Sequence, residues 1–150
     1  MTTIDEFDER ILQELKANGR ISNAELAGRI GLSPSACLRR VQELERSGVI
    51  KGYGAIIDNS LLGIGFTAYI TVGLSVHTKK SQNDFEKAIV KSPEVRECHN
   101  VTGSFEYILR VETKDLASYK FFHTDVLGTL PQVNSISTYV VMESAKDERQ

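Results

Sequence analysis

Tryptophan is absent from this sequence, and aromatic residues make up only 7% of it. Proline is scarce too: Pro34, Pro93 and Pro131 are the only three, and each falls at a boundary between candidate elements. The two cysteines, Cys37 and Cys98, form no CxxC pair or Cys/His cluster, which excludes a disulfide framework and a zinc site. Both sit in apolar patterns and are expected as buried thiols. His77, His99 and His123 lie far apart without metal-ligand spacing, so no metal is expected. The glycines of LGIGF and KGYGA do not make GxGxxG, and no GxSxG elbow or distinct carboxylate pair occurs. No catalytic residue and no cofactor are therefore assigned, and an enzyme is not expected. No apolar run reaches the ~18 residues that a membrane span needs. The opening run MTTIDEFDER is too acidic for a signal peptide, which leaves the cytoplasm as the expected compartment.

Strong net charge is also missing: the formal charge is -2 over 150 residues, with a pI near 5.9. Bulk charge gives no reason to expect a polyanionic partner, so any such case must rest on local placement. One stretch supplies it. Residues 29–51, RIGLSPSACLRRVQELERSGVIK, hold five cations against two acids.

The first fifty residues read as three short capped helices. Asp5 can cap a helix with Phe7, Ile11, Leu12 and Leu15 on its apolar face and Gly19 after its end. Ser22-x-x-Glu25 is a capping-box pattern for a second helix carrying Leu26, Ala27 and Ile30, closed by Gly31. Ser33 then caps a third helix with Pro34 at its first position, running to about Arg46, with Gly48 beyond. Only Gly31-Leu32-Ser33 separates the second and third helices, which is a helix-turn-helix pattern. Val49-Ile50, Lys51-Gly52 and residues 53–57 then suggest a small hairpin, a candidate wing.

From Phe66 the period changes to strand, helix, strand, strand, helix, strand. The strands are FTAYITVGLSV, VRECHNV, FEYILRVE and VNSISTYVVM, and the helices span about 82–91 and 115–127. That order predicts a ferredoxin-like βαββαβ domain, and hence an α+β chain in three parts. Residues 1–52 form the (winged) helix-turn-helix, 53–65 a linker strand or hinge, and 66–150 the ferredoxin-like domain. The closing SAKDERQ reads as a frayed tail.

On a wheel of about 100° per residue, Cys37, Val41 and Leu44 share the buried face of the third helix. Ser35, Arg39, Gln42 and Arg46 fall opposite. Such a line suits the major groove of double-stranded DNA, because Arg pairs bidentately with guanine and Gln with adenine. Arg40 lies to one side and can reach phosphate, as can Lys51 and Tyr53. Ser22 and Asn23 open one helix N-terminus and Ser33 another, and such termini favour phosphate. The bland alternative is a solvated cationic face with Glu partners.

Taken together, IDEFDERILQELKANGRISNAELAGRIGLSPSACLRRVQELERSGVIKGY, VTGSFEYIL and LPQVNSISTYVVM resemble the Lrp/AsnC family of leucine-responsive, feast/famine transcription regulators. The likeness covers nearly the whole chain. It implies a sequence-specific DNA-binding regulator that dimerises through its sheets, commonly assembles to an octamer, and binds an amino acid as effector. It further implies that residues 53–58 are a strand pairing between subunits. The effector site it implies comprises Thr102, Gly103, Ser104, Phe105 and Glu106, with Ile136, Ser137 and Thr138 lining it. A glycine-bearing loop exposes N–H groups for a carboxylate, and Glu106 or a hydroxyl can take an ammonium; alternatively Gly103 only permits a tight hairpin. Two positions depart from the family pattern: Glu106 stands where Asp is frequent, which implies a reshaped pocket, and Ile136 where a polar residue is frequent, which favours an apolar ligand side chain or a weaker hydrogen-bond set. The competing functions are an architectural, nucleoid-type DNA protein without ligand response, and an enzyme built on the ferredoxin-like domain.

Overall fold

The computed structural model describes residues 3–149. Met1 and Thr2 of the acidic opening run, and Gln150 at the end of the expected tail, lie outside the described residues. The chain divides into two compact units, the first ending at Ile56 and the second starting at Ile57.

The first unit holds α1 (Glu6–Ala17), α2 (Asn23–Ile30) and α3 (Pro34–Arg46). Asp5 caps α1 in a reciprocal box: its carboxylate accepts from Asp8 N–H at 2.9 Å, and Asp8 accepts from Asp5 N–H at 3.2 Å. At α2 only half of the expected box forms. Ser22 Oγ accepts from Glu25 N–H at 3.1 Å, but the Glu25 carboxylate binds Arg29 instead of returning to the cap. Gly31, at φ 82°, supplies the left-handed residue that ends α2. Arg10 of α1 then satisfies the carbonyls of Arg29 and Ile30 at 3.0 and 3.1 Å. Ile11, Leu26, Ala27, Ile30, Cys37 and Leu44 form the core between the three helices. Phe7, expected in that core, is instead exposed, with the Arg40 guanidinium 5.2 Å from its ring centre.

The expected hairpin over residues 49–57 does not form, and residues 51–58 contain no strand. The physical reason lies at the end of α3. Gly48 turns left-handed at φ 80°, and Ile50 donates its N–H to Leu44 O at 2.9 Å while its side chain packs on the helical core. Ile50 is thus used to close the helix, and residues 53–57 have no partner strand among the described residues.

The second unit contains β1 (Phe66–Leu74), α4 (Lys79–Val90), β2 (Val95–Asn100), β3 (Tyr107–Thr113), α5 (Leu116–Phe121) and β4 (Val133–Val140). All pairs are antiparallel in the order β2-β3-β1-β4, the ferredoxin-like arrangement. Alternate residues of β1 (Ala68, Ile70, Val72, Leu74) and β3 (Tyr107, Leu109, Val111) pack with Phe85, Ile89, Tyr119, Phe122 and Leu127 in the second core. The expected single helix over 115–127 is shorter. Its regular part ends at Phe121, and a π-turn (Phe122–Val126) and a 3-10 turn follow. Phe122 and Leu127 are both fully buried, yet residues five apart lie about 140° apart on a regular helix. Widening the turn brings them to one side.

The tail is not free at its end. Arg149 Nη1 donates to Glu97 Oε2 at 2.8 Å on the sheet face away from the helices, and Nη2 reaches the Tyr69 hydroxyl at 3.3 Å. Cys37 is fully buried as expected, whereas Cys98 is only half-buried.

Candidate nucleic-acid interface and effector pocket

Ser35, Arg39, Gln42 and Arg46 all lie on the exposed side of α3, because Cys37 and Leu44 turn the opposite side into the core. Their charges are not equivalent. Arg46 is clamped by Glu43, with Nη2 at 2.6 Å and Nε at 2.8 Å from its two oxygens. Arg40 points away to Asp5 and Asp8, donating at 2.7 Å to Asp5 Oδ2 and at 3.1 Å to Asp8 Oδ1. Asp8 is nearly buried, so this ion pair ties α3 to the start of α1. Arg39 makes no ion pair among the described residues. It is the guanidinium on the exposed stripe whose donors remain unspent.

The other candidates frame this helix. Ser33 Oγ caps α3 by accepting from Ala36 N–H at 3.2 Å, and Asn23 Nδ2 donates to Pro34 O at 2.8 Å, joining the start of α2 to the start of α3. Ser22 thus spends an acceptor on its cap and keeps a hydroxyl proton to donate, whereas Ser33 Oγ also shares a hydrogen bond with Ser35 Oγ at 3.4 Å. Lys51 is exposed just past the helix. Tyr53 donates its hydroxyl to Glu45 at 2.8 Å; burial, then Glu45, pushes its phenol up to about 12, so it is a neutral donor at ordinary pH.

In the second unit Thr102, Gly103 and Ser104 are exposed at the turn before β3, with Gly103 at φ 126°, a region closed to residues with a side chain. Phe105 is half-buried. Glu106 is more constrained than a free ligand group. Its Oε2 accepts from Leu74 N–H at 2.7 Å where the β1 register shifts, and its Oε1 stands 3.1 Å from His77 Nε2. Its own N–H donates to Val72 O at 3.1 Å, and Val72 faces Ile136 across the sheet. The turn and Ile136 therefore meet at the same end of the sheet. Strand alternation divides the remaining pair. Thr138 turns its hydroxyl to Tyr119 on the helix side, while Ser137, opposite Thr71, faces the other way. Gly73 and Ser135, opposite each other beside Glu106, were not singled out from sequence; a Cβ on Gly73 would stand 2.3 Å from Ser135 Oγ. Their only sequence signal is a glycine inside a strand pattern.

Residues 67–150 match the family model of the Lrp/AsnC ligand binding domain. The chain belongs to the Lrp/AsnC family. Residues 4–51 match a winged helix-turn-helix DNA-binding model, in agreement with the helices of the first unit. The chain is 41% identical over 143 residues to the leucine-responsive regulatory proteins of Klebsiella pneumoniae and Escherichia coli strain K12, covering 95% of this chain and 87% of each relative. Among solved structures, a transcriptional regulator from Neisseria meningitidis in complex with L-Met superposes with a TM-score of 0.93 at 34% identity, covering 97% of this chain and 94% of that one. An AsnC family transcriptional regulator from Agrobacterium tumefaciens gives 0.90 at 28% identity, covering 96% and 94%. As an Lrp/AsnC protein, the chain is a DNA-binding transcription regulator that responds to an amino-acid effector. Family and relatives are regulators and not enzymes. Among the described residues no helix is long and apolar enough to cross a membrane.

Proposed function

We propose that α3 enters the major groove and reads bases with Arg39 and Gln42, with Ser35 at the near end. The observation that carries this reading is that Arg39 has no ion pair among the described residues, on a stripe whose other guanidinium is already clamped. Ser22, Asn23, Ser33 and Lys51 supply phosphate contacts. Arg40 holds α1 and α3 together and leaves the phosphate set. The working form is a cytoplasmic homodimer, joined through the sheets and through residues 53–58, which pair as strands only between subunits, and built up to an octamer, without catalytic activity.

The effector is an amino acid with an apolar side chain. The L-Met held by the meningococcal neighbour and the leucine-responsive relatives support that class, while Ile136 itself packs against the helix-side core. The turn at Gly103 receives its carboxylate. Glu106, with its carboxylate directed to Leu74 N–H and His77, shapes the pocket wall, and a hydroxyl takes the ammonium.

Two measurements test this. Arg39→Ala should cost about 1–3 kcal/mol on the selected operator and little on random DNA; equal weakening on both would remove Arg39 from base reading. Thermal unfolding against each of the twenty amino acids should show a shift with leucine, methionine or a close analogue. A ligand at ~100 times its Kd adds about 2.7 kcal/mol. Gly103→Val should abolish that shift and spare DNA binding. No shift with any amino acid would sink the apolar assignment.

A further inference from the structure

Leu38 breaks the pattern of α3. The other apolar side chains of this helix turn inward: Cys37 and Leu44 are fully buried, and Val41 is packed at the edge of the same core. Leu38 is 44% exposed and belongs to no core cluster. A lone exposed leucine is ordinary on a protein surface. What distinguishes this one is its company. Ser35, Leu38, Arg39 and Gln42 follow the i, i+3, i+4, i+7 spacing that makes one helical stripe. The stripe occupies the first two and a half turns of α3, the part of a recognition helix that contacts base edges. The polar members can answer the guanine and adenine edges, but none of them can recognise the apolar group the major groove also presents, the 5-methyl of thymine.

We infer that Leu38 packs on a thymine methyl and selects an A·T pair within the half-site, beside the base read by Gln42. This rests on the placement of α3 in the major groove. It gives the stripe a complete vocabulary: a bidentate donor, an amide and an apolar surface. The acid-clamped Arg46, one turn further along, is then not needed for base reading.

The test uses the full-length protein and an operator selected by it from a random pool. Thymines of the half-site are replaced one at a time by uracil, which lacks only the methyl. One replacement should weaken wild-type binding about fourfold, the equivalent of a single buried CH₂. Leu38→Ala, an exposed change to a better helix former, should bind the thymine operator more weakly and lose that one sensitivity. Leu38→Met should keep it. The inference is overturned if selection fixes no thymine in the half-site. It is equally overturned if Leu38→Ala binds as wild type does or retains every uracil penalty. Arg39→Ala separates the two levels. If it destroys discrimination while Leu38→Ala keeps all uracil penalties, α3 reads the groove and Leu38 does not. If neither variant alters discrimination, the placement of α3 itself falls.

Discussion

Arg46 Nη2 lies 2.6 Å from Glu43 Oε1 on the exposed side of α3, and Nε holds the second oxygen. Hydrogen bonds from Arg46 keep the Glu43 carboxyl below the usual carboxylate range, so the pair stays charged at neutral pH. A DNA phosphate must compete with Glu43 for this guanidinium, and the Glu43 charge itself opposes the approach of the backbone. Glu43→Gln should therefore tighten binding to every DNA sequence rather than to the operator alone. Binding measured across a salt series should show a slope steeper by about 0.9, the signature of one additional phosphate neutralised. An unchanged slope would mean that Arg46 faces no phosphate.

The neighbouring cation performs a different task. Arg40 gathers Asp5 and Asp8, and Asp8 is nearly buried. Arg40→Ala should lower the melting temperature of the helical unit by a few degrees, since it strips a nearly buried carboxylate of its partner. The Asp5 carboxyl is held below its ordinary value, first by the Asp8 N–H and then by Arg40. A depressed carboxyl contributes stability above its unfolded pKa and loses it as pH falls through the folded value. Wild-type stability should therefore drop below roughly pH 4, and by less in Arg40→Ala. Parallel acid titrations would remove Arg40 from the pairing.

Cys98 stands on the helix side of β2, opposite Leu109. Burial, and secondarily Glu86, pushes its thiol up to about 11. Burial also raises the Cys37 thiol. Thiolate is the reactive form, so both should resist an alkylating reagent at neutral pH until the protein is unfolded. Mass spectrometry after a short native exposure should find neither labelled. Rapid labelling of Cys98 would show that β2 opens readily.

Much of this was legible because it depends on short-range rules. The caps at Asp5, Ser22 and Ser33 and the stop at Gly31 sit where turn chemistry puts them. The period-2 runs formed four strands in the expected order. What the sequence could not reveal depends on partners distant in the chain. Chain order alone does not show that Arg40, a phosphate candidate by its place on α3, donates to Asp5, thirty-five residues earlier. Residues 53–57 have strand-forming composition, but Ile50 closes α3 and they meet no partner strand among the described residues. Glu106 is one of two ammonium-acceptor candidates in the sequence, a hydroxyl being the other, and its bond to Leu74 N–H appears only once β1 and β3 are side by side.

Gly73 offers the sharpest check of that last arrangement. It is buried in β1 at the register shift, opposite Ser135, and a Cβ there would stand 2.3 Å from Ser135 Oγ. Ser135 Cβ and Glu106 Oε2 would both be at 3.7 Å, ordinary contact distance. One oxygen atom is thus the whole obstacle. Gly73→Ala should lower the melting temperature, because Ser135 must leave its rotamer or the strands must part next to the Leu74–Glu106 bond. Ser135→Ala removes the oxygen, so the double variant should recover most of the loss, a non-additive result expected for residues in direct contact. The same double variant should regain any effector response that Gly73→Ala costs, if Glu106 lies in the pocket wall. Additive losses in stability would mean that β1 and β4 do not hold this register. Recovery of stability without recovery of effector response would separate the Gly73–Ser135 pair from the ligand site.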